Sequence, residues 1–414
     1  MKRHLMTGNA AAAWGARLAG AEYLPAFPIT PQTEIIETIS RWIGDDEMDC
    51  RMVMMDSEHS MITAAGAAAA TGVRVFTATS SQGLLYGMEM LYTVAGWRAP
   101  FVMANVSRGL SAPITLESDH NDIFAARDSG FLQIHCATCQ EILDTMLIAY
   151  RLAENRRVRL PVIVNFDGYY LSFTREPVEQ PDQAAVDAYL PAFDPGVTQF
   201  RAGRPVSQAV AVLGGGPYSY FRYQIDLGAR AALEVYDEAA EAFAERFGRN
   251  HGALDAYRID DAEIVFYMVG SFATKAKDAV DRLRETGANV GLLRLRLVRP
   301  FPEVALQRAL AGKKGVAVID QNLSPGKGGV LHTELLSALY GRKNMPAVIT
   351  SFIGGLGGRD ISAEEFFEIA AVTAKATETG DVPPPRLLYT EGELREMRKL
   401  QAIAHVEQHE EVTP

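Results

Sequence analysis

Apolar runs rich in branched residues alternate with amphipathic, small-residue stretches through the first 190 residues of the chain. The apolar runs are typical of strands that are covered on both faces of a sheet. They predict strands at residues 23–27, 51–55, 73–77, 101–105, 132–135 and 162–166. The stretches between them predict helices at 31–43, 60–70, 83–95 and 140–155. This alternation predicts a doubly wound, parallel α/β sheet.

A second alternating pattern begins at Glu263. It predicts strands at 263–271, 289–302 and 315–322, with helices at 274–285 and 302–311 between them. The stretch from 176 to 259 differs, because it is rich in Pro and Gly before a helical run at 231–247, and it predicts an arm or linker. We therefore divide the chain into a first α/β domain (1–190), an arm or linker (191–259), a second α/β domain (260–380) and a charged tail (381–414).

Composition narrows the class of protein. The chain has 414 residues, of which 48% are hydrophobic and 22% charged, as expected for two or three globular domains. The 40 basic residues against 51 acidic ones give a net charge of −11, which argues against nucleic acid as a partner. No apolar run is long enough to span a membrane, and the basic N-terminus lacks the apolar core of a signal peptide, so a cytoplasmic protein is expected.

Only three cysteines occur, at positions 50, 136 and 139, and they cannot form a disulfide framework. The lone CATC at 136–139 predicts two packed thiols rather than a metal site. Three thiols are also too few for a [4Fe–4S] cluster, which usually takes four. If the protein transfers electrons through such clusters, another chain holds them.

Two polar segments directly follow predicted strands. In FPITPQT (27–33), Pro31 fits the first turn of a helix and Thr30 its cap, which leaves the hydroxyl for helix amides or for a ligand. In DSEHS (56–60), Glu58 lies at the start of an almost entirely Ala and Gly helix. Glu58 either stabilises the helix N-terminus or, in a dry interface, makes a strong hydrogen bond to a protonated ring nitrogen.

Three further segments carry candidate chemistry. FTATSSQG (76–83) places Thr79, Ser80 and Gln82 in a turn whose amides can face a ligand. SRGLSAP (107–113) places Arg108 at a strand end, where its planar fork suits a carboxylate or an ordinary salt bridge. SDHNDIFAAR (118–127) contains His120, which is a candidate proton relay or a packed histidine.

Taken together, these segments resemble the α-type chain of the pyruvate:ferredoxin oxidoreductase and 2-oxoacid:acceptor oxidoreductase family, of the type built from separate subunits. The motifs from FPITPQT to NFDGYYLS resemble its pyrimidine-binding thiamine-diphosphate domain. MVGSFATKAKDAVDRL (268–283) and FIGGLGGRD (352–360) resemble its second domain, which is similar to the transketolase C-terminal domain. The resemblance covers nearly residues 5–370.

The resemblance implies roles for individual residues. Glu58 matches the glutamate that bonds the cofactor's aminopyrimidine ring, and Arg108 and Thr30 match the catalytic residues that bind the carboxylate of the substrate. Thr79, Ser80 and Gln82 match the loop around the cofactor. The implied reaction is oxidative decarboxylation of a 2-oxoacid to an acyl-coenzyme A, with coenzyme A as co-substrate and electrons passed to iron–sulfur clusters and ferredoxin.

Half of the expected cofactor site is missing from the sequence. Thiamine-diphosphate enzymes hold magnesium and the diphosphate with a Gly-Asp-Gly segment, and the nearest match, Phe166-Asp167-Gly168, lacks the first glycine. The resemblance therefore implies that a β-type subunit carries the diphosphate and Mg²⁺ half-site. A γ-type subunit and a ferredoxin-like δ-type subunit with the [4Fe–4S] clusters are also implied, and an NAD- or flavin-binding subunit is an option.

Several alternatives stay open. Pyruvate is the first choice of substrate, and an aromatic 2-oxoacid, as in phenylglyoxylate dehydrogenase, is the second. The final electron acceptor is ferredoxin or NAD. A different class of function is a non-catalytic scaffold that only assembles partner chains. A transketolase-like enzyme that acts alone would need the diphosphate segment that the sequence lacks.

Overall fold

The computed structural model describes residues 2–196, 199–208 and 210–410, with side chains described as far as Ile403 of the last helix. Positions 197, 198 and 209 of the predicted linker, the first residue of the first domain and the last four of the predicted tail lie outside the described residues.

The first 190 residues form a parallel α/β sheet with helices on both faces. Strands β4 to β7 are buried along their whole length, as strands covered on both faces must be. The predicted fold class is confirmed. In chain order the elements are β1 (Lys2–Thr7), α1 (Gly8–Leu18), β2 (Tyr23–Ala26), α2 (Thr33–Gly44), β3 (Arg51–Met54), α3 (Glu58–Ala70), β4 (Phe76–Thr79), α4 (Ser81–Tyr86), α5 (Met88–Trp97), β5 (Val102–Ser107), α6 (Asn121–Ala125), β6 (Leu132–His135), α7 (Cys139–Ala153), β7 (Val162–Asp167), β8 (Arg175–Gln180) and α8 (Gln183–Tyr189).

Strand order decides where the functional residues meet. The central strands follow the order β6–β7–β5–β4, and a parallel bridge between Tyr23 and Val75 joins them to the parallel pair β2–β3. All six strands run in the same direction. Their carboxyl ends therefore lie along one edge of the sheet, which is where open α/β sheets bind ligands.

The segment expected to be an arm or linker contains a 33-residue helix, α9 (Gly215–Phe247), that is much longer than the predicted run. Its residues from Ile225 onward bury apolar side chains against the first core, among them Tyr236 and Phe243. The linker interpretation therefore fails for this part, because apolar residues recur there at helical spacing and complete the core.

The second half of the chain forms a second sheet of order β15–β14–β13–β10–β11–β9, in which only β9 is antiparallel. Among the described residues, no helix is both long enough and apolar enough to cross a membrane. The elements are β9 (Leu254–Tyr257), β10 (Ile264–Met268), α10 (Phe272–Glu285), β11 (Val290–Leu295), β12 (Leu297–Arg299), α11 (Glu303–Leu310), β13 (Gly315–Asp320), α12 (Val330–Leu339), β14 (Val348–Ile353), α13 (Ala363–Thr379), β15 (Arg386–Leu387) and α14 (Glu391–Glu410), with a 3₁₀ turn at Leu356–Gly358 between β14 and α13.

The single strand predicted at 289–302 is wrong, because the chain changes sheets within it. β11 pairs with β10 of the second sheet, whereas β12 pairs antiparallel with β6 of the first. Arg294 and Arg296, on either side of the change, both donate hydrogen bonds to the carboxylate of Glu141 on α7. These buried ion pairs hold the crossing strand against the first domain.

We expect Phe243→Ala to lower the free energy of unfolding by about 3–5 kcal/mol, because the side chain is fully buried in the first core. Tyr218→Ala, at an exposed position of the same helix, should change it by less than about 0.5 kcal/mol. Denaturant unfolding of the two variants compares them directly. Equal small effects would show that α9 does not belong to the first core.

Candidate active site

Polar residues stand at the carboxyl ends of four strands of the first sheet. Glu58 lies four residues after β3, Thr79 ends β4, Arg108 follows β5 and Asp167 ends β7. These strands are parallel, so the four residues lie along one edge although 109 positions separate the first from the last in sequence.

Glu58 is the first residue of α3 and is only 4% exposed. Ser57 caps this helix by accepting a hydrogen bond from the Ser60 backbone N–H at 3.2 Å, so Glu58 is not needed as the cap. Among the described residues, no other side chain donates a hydrogen bond or forms an ion pair with the Glu58 carboxylate. Burial raises the pKa of Glu58, opposed by its own backbone N–H, and the carboxyl group therefore suits a shared proton.

Gly83 on α4 leaves the space that the Glu58 side chain needs. A Cβ atom at position 83 would lie 2.4 Å from Glu58 Oε1 and 2.7 Å from Thr79 Oγ1, well inside contact distance. The absent side chain brings α4 close to β4 and α3. Glu58, Thr79 and Gly83 are thus direct neighbours, which the sequence alone did not show.

Thr79 and Ser80 each bury a hydroxyl that has no hydrogen-bond partner within the described part of the chain. Both side chains are fully buried, so their hydroxyls do not form hydrogen bonds with bulk water. Unpaired buried hydroxyls are rare because each costs about 1–3 kcal/mol. The Thr79 hydroxyl lies beside Glu58 at the Gly83 position, which indicates a place that accepts a polar ligand.

Arg108 follows β5 and is 5% exposed. Its Nη1 donates to the Thr30 carbonyl at 2.7 Å and its Nη2 donates to Gln82 Oε1 at 2.5 Å, while Nε has no partner among the described residues. No carboxylate of the described chain forms an ion pair with this guanidinium. Burial lowers the pKa of Arg108, although Asp122 partly offsets that effect. The site therefore holds a buried positive charge without an ion-pair partner among the described residues.

Thr30 does not cap a helix as the sequence had suggested. α2 begins at Thr33 with Gln32 as its N-cap, so Thr30 and Pro31 lie in the preceding turn. The difference arises because the buried Gln32 side chain donates to the Phe27 carbonyl at 2.8 Å and tightens that turn. Thr30 instead presents its carbonyl to Arg108 and leaves its side chain exposed.

Gln82 was expected in the loop around the cofactor, and the structure ties its side chain to the arginine. Its Oε1 accepts from Arg108 Nη2 and from the Ser81 hydroxyl at 2.6 Å, and its Nε2 donates to Ser111 Oγ at 2.8 Å. These contacts fix the plane of the amide and therefore the direction of the guanidinium.

Asp122 is a buried carboxylate that the sequence analysis did not single out. Oδ1 accepts from the Ser107 hydroxyl at 2.5 Å and the Ile123 N–H at 2.7 Å. Oδ2 accepts from the Ser81 N–H at 3.0 Å and the Asn105 side chain at 3.1 Å. Asp122 thus fastens the turn after β4 to the end of β5. Only the position of an acid in SDHNDIF could have hinted at this.

His120 and Asp167, both of the first domain, form a buried ion pair with Nε2 and Oδ1 2.6 Å apart. The other Asp167 oxygen accepts from the Ser271 N–H at 2.7 Å and hydroxyl at 2.5 Å, at the entry to α10. His120 lowers the pKa of Asp167 to about 2 against the effect of burial. Both oxygens of Asp167 accept hydrogen bonds from donors of the same chain. Asp167 therefore links the two domains and is not free to bind a metal ion.

Two family models together match most of the chain. The thiamine-diphosphate-binding domain of pyruvate flavodoxin/ferredoxin oxidoreductase matches residues 14–244, and core domain II of pyruvate:ferredoxin oxidoreductase matches residues 262–366. The fold and the site edge thus define a subunit of a 2-oxoacid oxidoreductase-type enzyme with a thiamine-diphosphate-binding domain. The chain belongs to the pyruvate:ferredoxin oxidoreductase family.

The chain is similar in sequence to curated relatives over nearly their whole length. The chain is 40% identical to pyruvate synthase subunit PorA of Pyrococcus abyssi over 92% of this chain and 96% of that one. It is 40% identical to the PorA subunit of Methanothermobacter thermautotrophicus, over 89% and 94% of the two chains. Identity to ketoisovalerate oxidoreductase subunit VorA of Pyrococcus horikoshii is 38%, over 91% and 95%.

Solved structures show the same fold at low sequence identity. A 2-oxoglutarate:ferredoxin oxidoreductase from Magnetococcus marinus, with 2-oxoglutarate, coenzyme A and succinyl-CoA bound, superposes with a TM-score of 0.70 at 20% identity. The match covers 91% of this chain and 65% of that chain. A split-gene transketolase, an inactive beta4 tetramer, gives a TM-score of 0.50 at 11% identity, over 88% and 97%.

We expect Asp122→Asn to lower the free energy of unfolding by about 1–3 kcal/mol. Whichever way the new amide is turned, its NH₂ group faces a backbone N–H, of Ile123 on one side or of Ser81 on the other. Denaturant unfolding measures the loss. Asp128→Asn, at a side chain 65% exposed, is the control and should change stability by less than about 0.5 kcal/mol. Equal stabilities for the two variants would contradict the role assigned to Asp122.

Proposed function

We propose that this chain is the α-type subunit of a thiamine-diphosphate-dependent 2-oxoacid oxidoreductase. The complex decarboxylates a 2-oxoacid, transfers the acyl group to coenzyme A and passes the electrons to iron–sulfur clusters and ferredoxin. The observation that carries the proposal is the buried Glu58 carboxylate, which lacks a side-chain partner among the described residues and lies against Gly83 and Thr79.

The residues present fit the pyrimidine half of thiamine diphosphate. Glu58 supplies a buried carboxyl group with a raised pKa, and such a group suits a strong hydrogen bond to a ring nitrogen of similar basicity. Thr79 supplies an unpaired buried hydroxyl beside it, and the next residue, Ser80, supplies a second unpaired buried hydroxyl. When bound, the cofactor would supply the nucleophile for the 2-oxo carbonyl and the electron sink for decarboxylation.

Glu58 has one task in this scheme, which is to hold a proton at the pyrimidine ring nitrogen. A buried carboxyl group does this better than an exposed one, because water does not compete for the proton. α3 keeps Glu58 in place through the Ser57 cap, and Gly83 keeps the space beside it open. Both features are local, so the position of Glu58 is set before any ligand arrives.

Arg108 and Thr30 are assigned to the carboxylate of the substrate. The guanidinium is buried, its Nε is unpaired, and no carboxylate of the described residues neutralises it. An anionic group therefore gains more from this arginine than from an exposed one. Gln82 and the Thr30 carbonyl orient the guanidinium, so Gln82 acts here as a positioning residue in addition to the cofactor contact expected for it.

The diphosphate, its magnesium ion and the clusters are assigned to partner chains. Asp167, in the segment nearest to the magnesium-binding pattern, is already bound to His120 and Ser271. In the described part of the chain, no group of three or more acidic, His or Cys residues is arranged to hold a metal ion. We assign the diphosphate and Mg²⁺ to a β-type chain and electron transfer to γ- and δ-type chains, with ferredoxin or NAD as final acceptor.

Pyruvate is our first choice of substrate, because the PorA relatives are named for it at 39–40% identity. The VorA relatives at 38% make the branched-chain acid ketoisovalerate the second candidate. None of the relatives named above carries an aromatic 2-oxoacid in its name, so the aromatic alternative has no support from them. The scaffold alternative conflicts with the buried Glu58 and Arg108, which a structural chain has no reason to keep unpaired.

We expect Glu58→Gln to reduce turnover by about 10²-fold or more, because the amide cannot hold the proton that the carboxyl group shares with the ring. Assembly should be unchanged, because the two side chains have the same shape. The assay is coenzyme A-dependent reduction of ferredoxin by the assembled complex, with pyruvate and ketoisovalerate tested in parallel.

Glu47→Gln is the matched control, since its carboxylate is 51% exposed and pairs only with Arg17. It should leave turnover unchanged. Full activity of the Glu58 variant would favour the scaffold function, and absence of turnover with pyruvate in the unmodified complex would remove pyruvate as first choice.

We expect Arg108→Lys to lower kcat/KM for the 2-oxoacid by about 10- to 100-fold, because a lysine loses the charge-assisted, two-pronged contact. The effect should appear mainly in KM, with coenzyme A affinity unchanged. Arg156→Lys, 75% exposed, serves as the control. An unchanged KM for the 2-oxoacid would contradict the assignment of Arg108.

A further inference from the structure

Exposed apolar side chains are concentrated in one short segment. Of the 25 large apolar residues that lie exposed in the described part of the chain, eight fall between Phe200 and Tyr223. Single exposed apolar residues are ordinary, but a cluster of this kind marks a surface that another molecule covers.

The first ten residues of α9 project beyond the core. The helix begins at Gly215, and its first buried residue is Ile225. Aromatic residues face all sides of this extension: Tyr218 is 61% exposed, Tyr220 59%, Phe221 48% and Tyr223 55%. A helix that is apolar all round is normally buried, and fewer than three free turns gain little stability in water. We therefore expect another molecule to bury the aromatic residues of this extension.

The segment contacts α3 and α5 of the first domain. At its start, the Phe200 N–H donates to the Ala70 carbonyl at the end of α3 at 2.9 Å. At its end, the Arg222 guanidinium lies over the Tyr92 ring of α5 at 6.0 Å, and Arg98 donates to the Gln224 carbonyl at 2.7 Å. α3 begins with Glu58, and α5 follows directly on α4.

Exposed residues also lie on the helices of the first domain that the segment contacts and on α4 before them. Tyr86, at the end of the helix that carries Gly83, is 63% exposed, and Tyr92 is also exposed. Ala67 of α3 is exposed on the same helix pair. A chain that covers the open side of Glu58 would continue over Tyr86 and Tyr92 to the aromatic extension.

The charge of the segment indicates what kind of surface it meets. Residues 195–225 contain three arginines and no acidic residue, in a chain whose net charge is −11. A two-fold contact with a second copy would place this basic segment against itself. A different chain with an apolar groove and an acidic rim fits better.

We propose that the described residues 199–208 and 210–225 are the docking element for the partner chain that supplies the diphosphate and magnesium half-site, an inference that rests on the proposed function. The α9 extension inserts its aromatic side chains into an apolar groove of that partner, and Arg222 pairs with an acidic group at the rim. The same partner then covers Tyr86 and closes the site around Glu58.

The test uses the full chain and the purified partner subunit, with the dissociation constant measured by sedimentation velocity. The double variant Y220S/F221S should bind the partner at least about tenfold more weakly, because buried aromatic anchors dominate such interfaces. Y340S, at a residue 90% exposed in the second domain, should bind within about twofold of the unmodified chain. The melting temperature of the isolated chain should not change, since the replaced side chains are exposed.

A second variant keeps the aromatic residues. R222E reverses the charge and should weaken binding more at low salt than at high salt. Unchanged dissociation constants for both variants would overturn the proposal. Loss of self-association by the isolated chain, with partner binding intact, would also overturn it and assign the surface to a second copy.

Different experimental results would contradict the proposed docking element and the proposed catalytic role. If Y220S/F221S loses the partner while the Glu58→Gln complex turns over normally, the docking element stands and the catalytic role falls. If Y220S/F221S assembles and the Glu58 variant assembles without turnover, the docking element falls and the catalytic role stands.

Discussion

The site depends on keeping one carboxylate and one guanidinium buried without a charged partner. Burial of an unpaired charge is costly, and most buried ions in proteins are paired with an opposite charge. Glu58 and Arg108 are exceptions, whereas the neighbouring buried carboxylates Asp122 and Asp167 are surrounded by donors. The fully hydrogen-bonded Asp122 and Asp167 hold the strand ends together. The surrounding structure can therefore keep Glu58 and Arg108 in place without a charged partner. The free-energy cost of burying these two groups is offset when a ligand of complementary charge or hydrogen-bonding capacity binds.

The two domains are joined closely enough to act as one support for the site. β12 leaves the second domain to pair with β6 of the first, and Arg294 and Arg296 anchor the crossing to Glu141. On the other side of the sheet edge, Asp167 links His120 to Ser271. In the second sheet, chain order reverses between β10 and β13, where a ligand would ordinarily bind. Here the first domain occupies that crevice, because the His120 N–H donates to the Gln321 carbonyl at 2.8 Å.

A site of this construction explains why the enzyme is divided among chains. In the proposed function, this chain provides the carboxyl group for the pyrimidine ring and the guanidinium for the substrate, and both groups follow strands that end at one edge of the first sheet. In the proposed docking, the exposed aromatic residues of the α9 extension provide the surface for the chain that completes the site. Catalytic chemistry and assembly then depend on the same face, so cofactor binding and subunit association are expected to be coupled.

The sequence by itself determined the fold class and the strand ends that carry Glu58, Thr79 and Arg108, because short-range hydrophobic periodicity is strong in buried parallel strands. Motif order also pointed to the family. Sequence periodicity did not determine contacts between distant positions: the Gly83 gap beside Glu58, the Gln82 bridge to Arg108, and the five donors around Asp122. It also missed the change of sheets at Arg296 and the core role of α9, because a strand or helix pattern does not specify its partner. Those features were decided only when tertiary packing brought separate elements together, since burial and hydrogen-bond satisfaction are properties of the assembled structure.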